Sequence, residues 1–269
     1  MITILTPTYN RVHTLERLYS SLCEQIDLEC FEWLIIDDGS SDETFTLIEK
    51  FKNQNKIPIR YIFQENRGKH VALNNGIENA KYDWIFIVDS DDTLTIDAIS
   101  TIKKDLILLE SLNVVGFCYR KVYFDDSIIG KEVKTNETYL LMSPSEAGKL
   151  LVGDLAYIFK KEIMRKNLFP VIPNEKFVPE LYIWNKIHNY GKIAFFITKS
   201  IYKCEYLEDG YTKIFKRNLK NNPIGFLIFY SSQIFYEKKI IGKIKCIIRS
   251  FECIYYNYLK QKKLIKEEK

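Results

Sequence analysis

The sequence lacks the features that define several classes of protein. Its six cysteines form no C-x-x-C pair and have no histidine partners at zinc spacing, so neither a structural metal site nor a disulfide framework is expected. No stretch reaches the roughly 18 apolar residues of a spanning helix, and the start, MITILTPTYN, lacks a basic region ahead of a long apolar run. We therefore expect a cytoplasmic protein that is neither secreted by this route nor embedded in a membrane.

Glycine is absent from a loop where two nucleotide-using enzyme classes need it. Residues 6–11, TPTYNR, follow the first predicted strand and contain no glycine. A dinucleotide-dependent dehydrogenase needs G-x-G-x-x-G there, and a sugar nucleotidyltransferase usually has a Gly-rich loop with Arg or Lys. The nucleotidyltransferase stays an alternative, as does a non-catalytic nucleotide-sugar-binding or membrane-surface module, although such a module leaves the carboxylate clusters unexplained.

Charge is distributed unevenly along the 269 residues. Residues 211–269 contain 14 Lys/Arg against 4 Asp/Glu, whereas residues 1–210 contain 25 against 31. The hydrophobic fraction of 46% is enough for a substantial core. We expect a body over residues 1–210, with one part over 1–100 and another over 101–210, followed by a basic tail over 211–269.

Short apolar runs alternate with helical patterns in the first third of the chain. This order predicts an α/β fold with a mostly parallel sheet flanked by helices. Ligands bind beyond the carboxyl ends of such strands. Polar clusters follow three of the predicted strands, at residues 7–11, 37–42 and 89–92.

Three carboxylates follow the apolar run 84-WIFIV-88, namely Asp89, Asp91 and Asp92. No Lys or Arg lies within the cluster, so a cation is expected to neutralise it, and oxygen ligands suit Mg²⁺ or Mn²⁺ shared with phosphate oxygens. The alternative is a turn whose aspartates cap a helix beginning near Thr95.

Four motifs occur together in a characteristic order: 6-TPTYNR-11, 37-DDGSSD-42, 65-ENRGKHVALNNG-76 and 89-DSDD-92. With them the chain resembles family 2 of the glycosyltransferases, which are inverting enzymes of the GT-A (Rossmann-like) fold. Downstream, residues 152–164, 177–187 and 204–213 resemble acceptor-side segments of bacterial members that build surface polysaccharides. The resemblance implies transfer of a sugar from a UDP-sugar to a saccharide hydroxyl, with Mn²⁺ or Mg²⁺ as cofactor. It also implies that residues 1–100 are the nucleotide-binding part and residues 101–210 the acceptor part of a GT-A glycosyltransferase domain.

The resemblance also implies roles on the nucleotide side. Pro7 and Tyr9 would frame the base, and Asp38 would accept a hydrogen bond from the uracil ring N–H, a donor that cytosine lacks. Asp89 would contact the ribose, or the metal through water, and Ser90 belongs to the same nucleotide-sugar site. A core position for Tyr9 and a tight turn at Asp38-Gly39 are the structural alternatives.

The metal and the diphosphate would bind beside these residues. Asp91, which closes the D-x-D, is the expected metal ligand. Many family members hold the diphosphate with an Arg where this chain has Leu73. Lys69 resembles the basic residue that other members use, with Arg67 a weaker candidate and a solvated surface lysine the alternative.

The catalytic base would be Glu180, in the place where many relatives have the acid of a Glu-Asp pair with an aromatic, here Trp184, four residues later. A helix-capping role for Glu180 is the alternative. Asp154 would line the donor-sugar or acceptor pocket. Glu205, Glu208 and Asp209 would form a second acidic patch near the acceptor.

The tail places apolar residues at three- and four-residue steps among basic ones. The apolar set is Ile240, Ile244, Ile247, Phe251, Ile254 and Tyr258. From about residue 225 we expect an amphipathic basic helix. It would either contact an anionic membrane peripherally on its inner face, where a lipid-linked acceptor would be met, or dock on the body with a solvated basic face.

Overall fold

The computed structural model describes residues 1–206 and 215–267, with side chains up to residue 262. The strands are β1 (Ile2–Thr8), β2 (Phe31–Asp37), β3 (Ile59–Phe63), β4 (Trp84–Ile87), β5 (Thr93–Leu94), β6 (Gly116–Val122), β7 (Leu140–Leu141), β8 (Leu155–Lys160) and β9 (Ile193–Lys203). The helices are α1 (Val12–Cys23), α2 (Thr44–Gln54), α3 (Lys69–Asn79), α4 (Ala98–Leu109), α5 (Pro144–Leu151), α6 (Lys161–Arg165), α7 (Leu181–His188), α8 (Phe215–Asn221), α9 (Pro223–Tyr236) and α10 (Ile240–Glu267).

In the described residues the strands form one sheet in the order β3-β2-β1-β4-β8-β6-β9-β5, with β7 paired to β9. The first four strands in this order are parallel to one another. Helices follow β1, β2 and β3, as the alternating pattern of the sequence predicts. The predicted α/β fold is confirmed, and the carboxyl ends of these strands lie along one edge of the sheet.

The second half of the sheet is mixed. Strand β8 runs antiparallel to both β4 and β6, whereas β9 is parallel to β6 and carries register shifts near Arg120. The alternation of strand and helix that defines the first third does not continue here, so periodicity did not predict these strands.

Both faces of the sheet are covered by apolar packing. On one face, side chains of α1, α2 and α4, such as Leu18, Ile48 and Ile102, pack with Trp33 and Phe117. On the other face, α3, α6 and α7 contribute residues that include Leu73 and Trp184. Burial of this size is the main stabilising contribution and makes the sheet a rigid base for its loops.

The alternative interpretation, in which the aspartates of residues 89–92 cap a helix beginning near Thr95, is wrong. Strand β5 follows the carboxylates and pairs with β9, and α4 begins only at Ala98. The acidic loop is therefore held between two strands of the sheet.

The tail forms more than one helix. Instead of a continuous helix from about residue 225, α9 ends at Tyr236 and α10 begins at Ile240. The apolar residues that the sequence marks in α10 are exposed, not docked on the body. Over the residues that the structure describes, no helix has the length and apolar character needed to span a membrane.

Two glycines fix the loops at the carboxyl edge. Gly39 and Gly68 have φ values of +83° and +97°, which favour glycine. A Cβ on Gly68 would lie 2.2 Å from the carbonyl oxygen of Lys176, and one on Gly39 would lie 2.7 Å from the backbone nitrogen of Asn66. The loop over residues 64–68 is thus clamped between residues 37–40 and the segment around Lys176.

Gly68→Ala should destabilise the protein by about 1–3 kcal/mol, because the new methyl meets backbone that cannot move aside and φ is unfavourable. Gly148→Ala is a matched control: Gly148 lies within α5, and no other group would lie within 4 Å of a Cβ added there, so the change should be neutral or stabilise by up to about 1 kcal/mol. Urea unfolding measures both. Equal midpoints for Gly68→Ala and the unmodified chain would contradict the clamp.

Candidate active site

The candidate site lies beyond the carboxyl ends of β1, β2 and β4. These strands are adjacent and parallel, so the residues that follow them, Tyr9, Asp38 and Asp89, come to the same edge of the sheet. Helix α3 begins at Lys69, just after the clamped loop. Motifs that are separated in the sequence therefore lie together on one surface.

Lys69 contacts two carboxylates that come from different parts of the chain. Its Nζ lies 2.6 Å from Asp89 Oδ1 and 2.8 Å from Glu180 Oε1. Burial lowers the pKa of Lys69, but the charges of Asp89 and Glu180 raise it well above the ordinary lysine value. Lys69 is therefore a charged group between two carboxylates and not a solvated surface lysine.

The three carboxylates of the acidic loop have different environments. Burial raises the pKa of Asp89, but Lys69 and Lys121 lower it below the usual aspartate range. The pKa of Asp91 is raised by burial and then by the charge of Asp89. Burial raises the pKa of Asp92 to about 7, although Lys121 opposes this. Asp89 is held as an anion, while Asp91 lacks equivalent compensation.

Lys121 and Tyr202 support the acidic loop, although neither is a candidate from the sequence. The Tyr202 hydroxyl donates to Asp92 Oδ2 at 2.6 Å and accepts from the backbone N–H of Asp89 at 2.9 Å. Lys121 Nζ lies 3.6 Å from Asp92 Oδ2 and 3.9 Å from the centre of the Tyr202 ring. Tyr202 and Asp92 are 110 positions apart, so no local motif could have indicated their contact.

These contacts change the reason for expecting a metal. From the sequence, a cation is expected because no basic residue lies within the 89–92 cluster, yet the fold brings Lys69 and Lys121 to it. Lys69 and Lys121 lower the pKa of Asp89, but Lys121 only partly offsets the burial of Asp92, whose pKa is raised to about 7. The pKa of Asp91 is raised as well, so both Asp91 and Asp92 favour further positive charge nearby.

Asp38 is buried and holds the clamped loop. Its carboxylate accepts hydrogen bonds from Gln64 Nε2 at 2.7 Å and from the backbone N–H groups of Arg67 and Gly68 at 2.9 and 2.7 Å. A carboxylate can accept about four hydrogen bonds, so Asp38 has capacity for one more donor. Asp37 is also buried and accepts from the Tyr61 hydroxyl at 2.8 Å.

Pro7, Tyr9 and Ser90 differ in accessibility. Pro7 is buried within β1, opposite Ile36 of β2, and Ser90 is buried in the acidic loop. Tyr9 is 48% exposed, so it is not a core aromatic and offers a face to a ligand. Arg67, the weaker candidate for the diphosphate, has an exposed side chain.

Glu180 stands at the N-cap of α7 but makes no capping hydrogen bond with its side chain. The carboxylate turns to Lys69 instead. Trp184 is buried, with its ring 4.9 Å from that of Phe159, so it belongs to the core. The structure thus separates the two residues: Glu180 faces the site, and Trp184 anchors the helix that carries it.

The remaining acidic candidates lie at the other border of the acidic loop. Asp154 accepts a hydrogen bond from the Tyr206 hydroxyl at 2.8 Å. Glu205 pairs at 2.8 Å with Arg17, which also donates to the backbone oxygen of Asp91 at 2.5 Å. Glu208 and Asp209 lie outside the described residues. Arg17 is a further loop contact that the sequence did not indicate.

The donor atoms suit a hard divalent cation. Within residues 1–206 and 215–262, no three acidic, histidine or cysteine side chains converge to hold a metal by themselves. Mg²⁺ usually binds through one or two carboxylates together with substrate phosphates and water. Asp91, with its raised pKa beside the anionic Asp89, fits that mode of binding.

Comparison with known proteins gives the family. The model for glycosyl transferase family 2 matches residues 3–160. A poly-beta-1,6-N-acetyl-D-glucosamine synthase of Staphylococcus aureus is 43% identical over 97 residues, which are 36% of this chain and 23% of the synthase. The chain therefore matches about a quarter of that relative's length.

A second relative is similar along most of the chain. It is the GalNAc(5)-diNAcBac-PP-undecaprenol beta-1,3-glucosyltransferase of Campylobacter jejuni, 26% identical over 240 residues, which are 84% of this chain and 72% of that enzyme.

Solved structures show the same fold. Residues 1–349 of S. aureus TarS in complex with UDP-GlcNAc align with a TM-score of 0.64 and 17% identity, over 96% of this chain and 72% of that one. The mannosyltransferase PcManGT of Pyrobaculum calidifontis, in complex with GDP-Man and Mn²⁺, aligns with a TM-score of 0.61 and 18% identity, over 93% of this chain and 69% of that one. Since the family model covers more than half of the sequence, this protein belongs to glycosyl transferase family 2.

Proposed function

We propose that this protein is a glycosyltransferase that moves a sugar from a UDP-sugar to a hydroxyl group of a lipid-linked saccharide, with inversion at the anomeric carbon and with Mn²⁺ or Mg²⁺ as cofactor. The product would serve a bacterial capsule, O-antigen or exopolysaccharide. A lipid-linked acceptor would place the enzyme in the cytoplasm or peripherally on the inner face of the cell membrane.

One observation carries this proposal, the position of Lys69 between Asp89 and Glu180. Lys69, which is expected to bind the diphosphate, contacts Asp89 of the expected nucleotide site and also Glu180, the expected base. A transferase needs these functions side by side, because the leaving diphosphate and the attacking hydroxyl act on one anomeric carbon.

The relatives support the donor and the acceptor classes. TarS is described in complex with UDP and with UDP-GlcNAc. The name of the Campylobacter enzyme includes GalNAc(5)-diNAcBac-PP-undecaprenol, a lipid-linked saccharide. The Pyrobaculum enzyme, however, is described with GDP-Man. A panel of donors must therefore include GDP-mannose beside the UDP-sugars.

At the nucleotide end, the exposed ring of Tyr9 would stack on the base, and Pro7 would shape the floor beneath it. The remaining acceptor capacity of Asp38 would take the uracil ring N–H. Asp89 and Ser90 would contact the ribose and the diphosphate. Asp154, oriented by Tyr206, would bind hydroxyl groups of the transferred sugar.

At the diphosphate, Lys69 would place a positive charge beside the bond that breaks. Its ammonium needs little reorganisation, because Asp89 and Glu180 already hold it in the site. Asp91 is the residue that would hold the metal, with Asp89 in reach through water. The chemistry that a metal would supply there is positive charge against the negative charge that develops on the leaving UDP.

Glu180 would take the proton from the acceptor hydroxyl as that oxygen attacks the anomeric carbon opposite the leaving group. Its contact with Lys69 holds the carboxylate in the site. When donor phosphates engage Lys69, part of this ion pair is released, and Glu180 is left beside the anomeric carbon.

Release of UDP tests the function itself. The full chain, with Mn²⁺ and a lipid-linked saccharide acceptor, should release UDP from at least one UDP-sugar and form a longer saccharide. Tight donor binding without turnover across UDP-sugars and GDP-mannose would favour a non-catalytic nucleotide-sugar-binding role.

Asp91→Ala should abolish Mn²⁺-supported transfer while leaving the unfolding midpoint nearly unchanged, because it removes the expected metal ligand from a partly exposed loop position. Asp83→Ala is the matched control: Asp83 is an exposed carboxylate at the opposite end of β4 and should retain full activity. Full activity of Asp91→Ala, or a wild-type rate unaffected by EDTA, would exclude the metal assignment.

Glu180→Gln keeps the volume of the side chain but removes the proton acceptor. Turnover should fall by about 100-fold or more, with UDP affinity nearly unchanged. Glu162→Gln, in the first turn of α6 and exposed, controls for loss of a first-turn glutamate. If Glu180→Gln turns over as fast as the unmodified enzyme, the base lies elsewhere, and Asp154 is the next candidate.

A further inference from the structure

Helix α10 is amphipathic in an unusual sense, because its packed face is the small and polar one. The buried and half-buried positions facing the rest of the protein include Gly242, Cys246, Ser250, Cys253 and Asn257. Cys253 is fully buried in a cluster with Leu219 of α8 and Phe226 of α9. Small side chains allow α9 to approach closely, and Tyr256 packs against the same cluster, so α10 is fixed to the protein without using its exposed large apolar residues.

Those large residues all lie on the opposite side of α10. Their exposed fractions run from 40% at Ile247 to 74% at Ile240. Because successive helical residues turn by about 100°, the set occupies an arc of roughly 140°. It comprises Ile240, Ile241, Ile244, Ile247, Ile248, Phe251, Ile254, Tyr255, Tyr258 and Leu259. We call this set the outward face of α10.

Basic residues border the outward face. On the helical projection, Lys243 and Lys245 lie at the two borders, whereas Lys239, just before the helix, and Arg249 lie further round. Between residues 238 and 262 there are seven Lys/Arg and one Glu, a net charge of +6. The outward face is therefore an apolar stripe within a positive surround.

Contact of the outward face with water is unfavourable, and so is its contact with a second copy of the chain. A contiguous apolar patch of this extent marks an interaction site on a monomer. Two copies joined through this face would bring rows of Lys and Arg against each other, and like charges oppose that contact. An anionic bilayer satisfies both features, since its interior takes the apolar side chains and its headgroups take the ammonium groups.

We propose that the outward face of α10 is a docking surface for an anionic lipid bilayer, with the helix lying in the plane of the membrane. Tyr255 and Tyr258 suit the headgroup region, where aromatic side chains with a polar end are favoured. Only the purpose of docking, which is access to a lipid-linked acceptor, rests on the proposed function.

The packing of α10 relates the docked surface to the candidate base. Helix α10 packs on α9, and α9 packs on α7, which begins directly after Glu180. Lys260 Nζ, near the far end of α10, donates to the backbone oxygens of Asn174 and Asn221 at 2.8 and 2.7 Å. Docking would therefore set the acceptor side of the site in a fixed relation to the membrane.

Co-sedimentation of the full chain with vesicles tests this proposal. The protein should sediment with phosphatidylcholine vesicles that contain phosphatidylglycerol, much less with phosphatidylcholine alone, and less at high salt. Replacing Lys239, Lys243 and Lys245 together with Gln should weaken anionic binding about fivefold for each charge, and so roughly 100-fold in all.

Two double variants distinguish membrane binding by the outward face from non-specific hydrophobic binding by other exposed residues. Ile248→Ser with Phe251→Ser should abolish sedimentation, whereas Ile26→Ser with Ile107→Ser, which removes comparably exposed side chains from the body, should not. Circular dichroism and UDP affinity of each variant should match the unmodified protein.

Three results would overturn the proposal. They are no sedimentation of the full chain with anionic vesicles, equal sedimentation of the two double variants, and a dimer in solution that only the α10 variant disrupts. The last would make the face an interface between copies. Vesicle binding without sugar transfer would leave the docking intact and reject the proposed function, so the two failures are distinguishable.

Discussion

The structure of the candidate site depends on compensating clustered carboxylates with lysines from distant parts of the chain. Asp89, Asp92 and Glu180 approach one edge of the sheet, where Asp92 is buried and the other two are half-buried, and an uncompensated buried charge costs several kcal/mol. Lys69, at the start of α3, meets Asp89 and Glu180, and Lys121, from β6, meets Asp92. This compensation lets the fold keep a concentrated acidic site before any ligand arrives.

The same arrangement explains how such a site could accept an anionic donor. A diphosphate would be repelled by the acidic loop alone, but Lys69 lies inside the loop's charge distribution and can exchange carboxylate partners for phosphate. Burial and the charge of Asp89 raise the pKa of Asp91, which favours a cation beside the phosphates. The clamped loop and Tyr202 limit how far these groups can move, so the site is organised in advance of binding.

The first hundred residues could be predicted well because their signals are local. The predicted alternation of strands and helices is present in β1 to β3, and the polar clusters do follow adjacent parallel strands. Contacts across long separations could not be predicted: no pattern linked Tyr202 to Asp92 or Lys121 to the acidic loop, and this led to the assumption that only a metal could neutralise it. In the tail, periodicity located the apolar stripe of α10, but it could not show that small residues of the other face make the packing contact. The same local reasoning grouped Trp184 with Glu180, although only Glu180 faces the site.

A structure of the chain with UDP and Mn²⁺ bound is the most direct test of the central claim, that Lys69 couples the donor site to the catalytic base. The account predicts the diphosphate in contact with Lys69 Nζ, the metal on Asp91, and Glu180 on the open side of the β-phosphate. UDP bound away from Lys69, with the ammonium group still between Asp89 and Glu180 and no metal at Asp91, would contradict it.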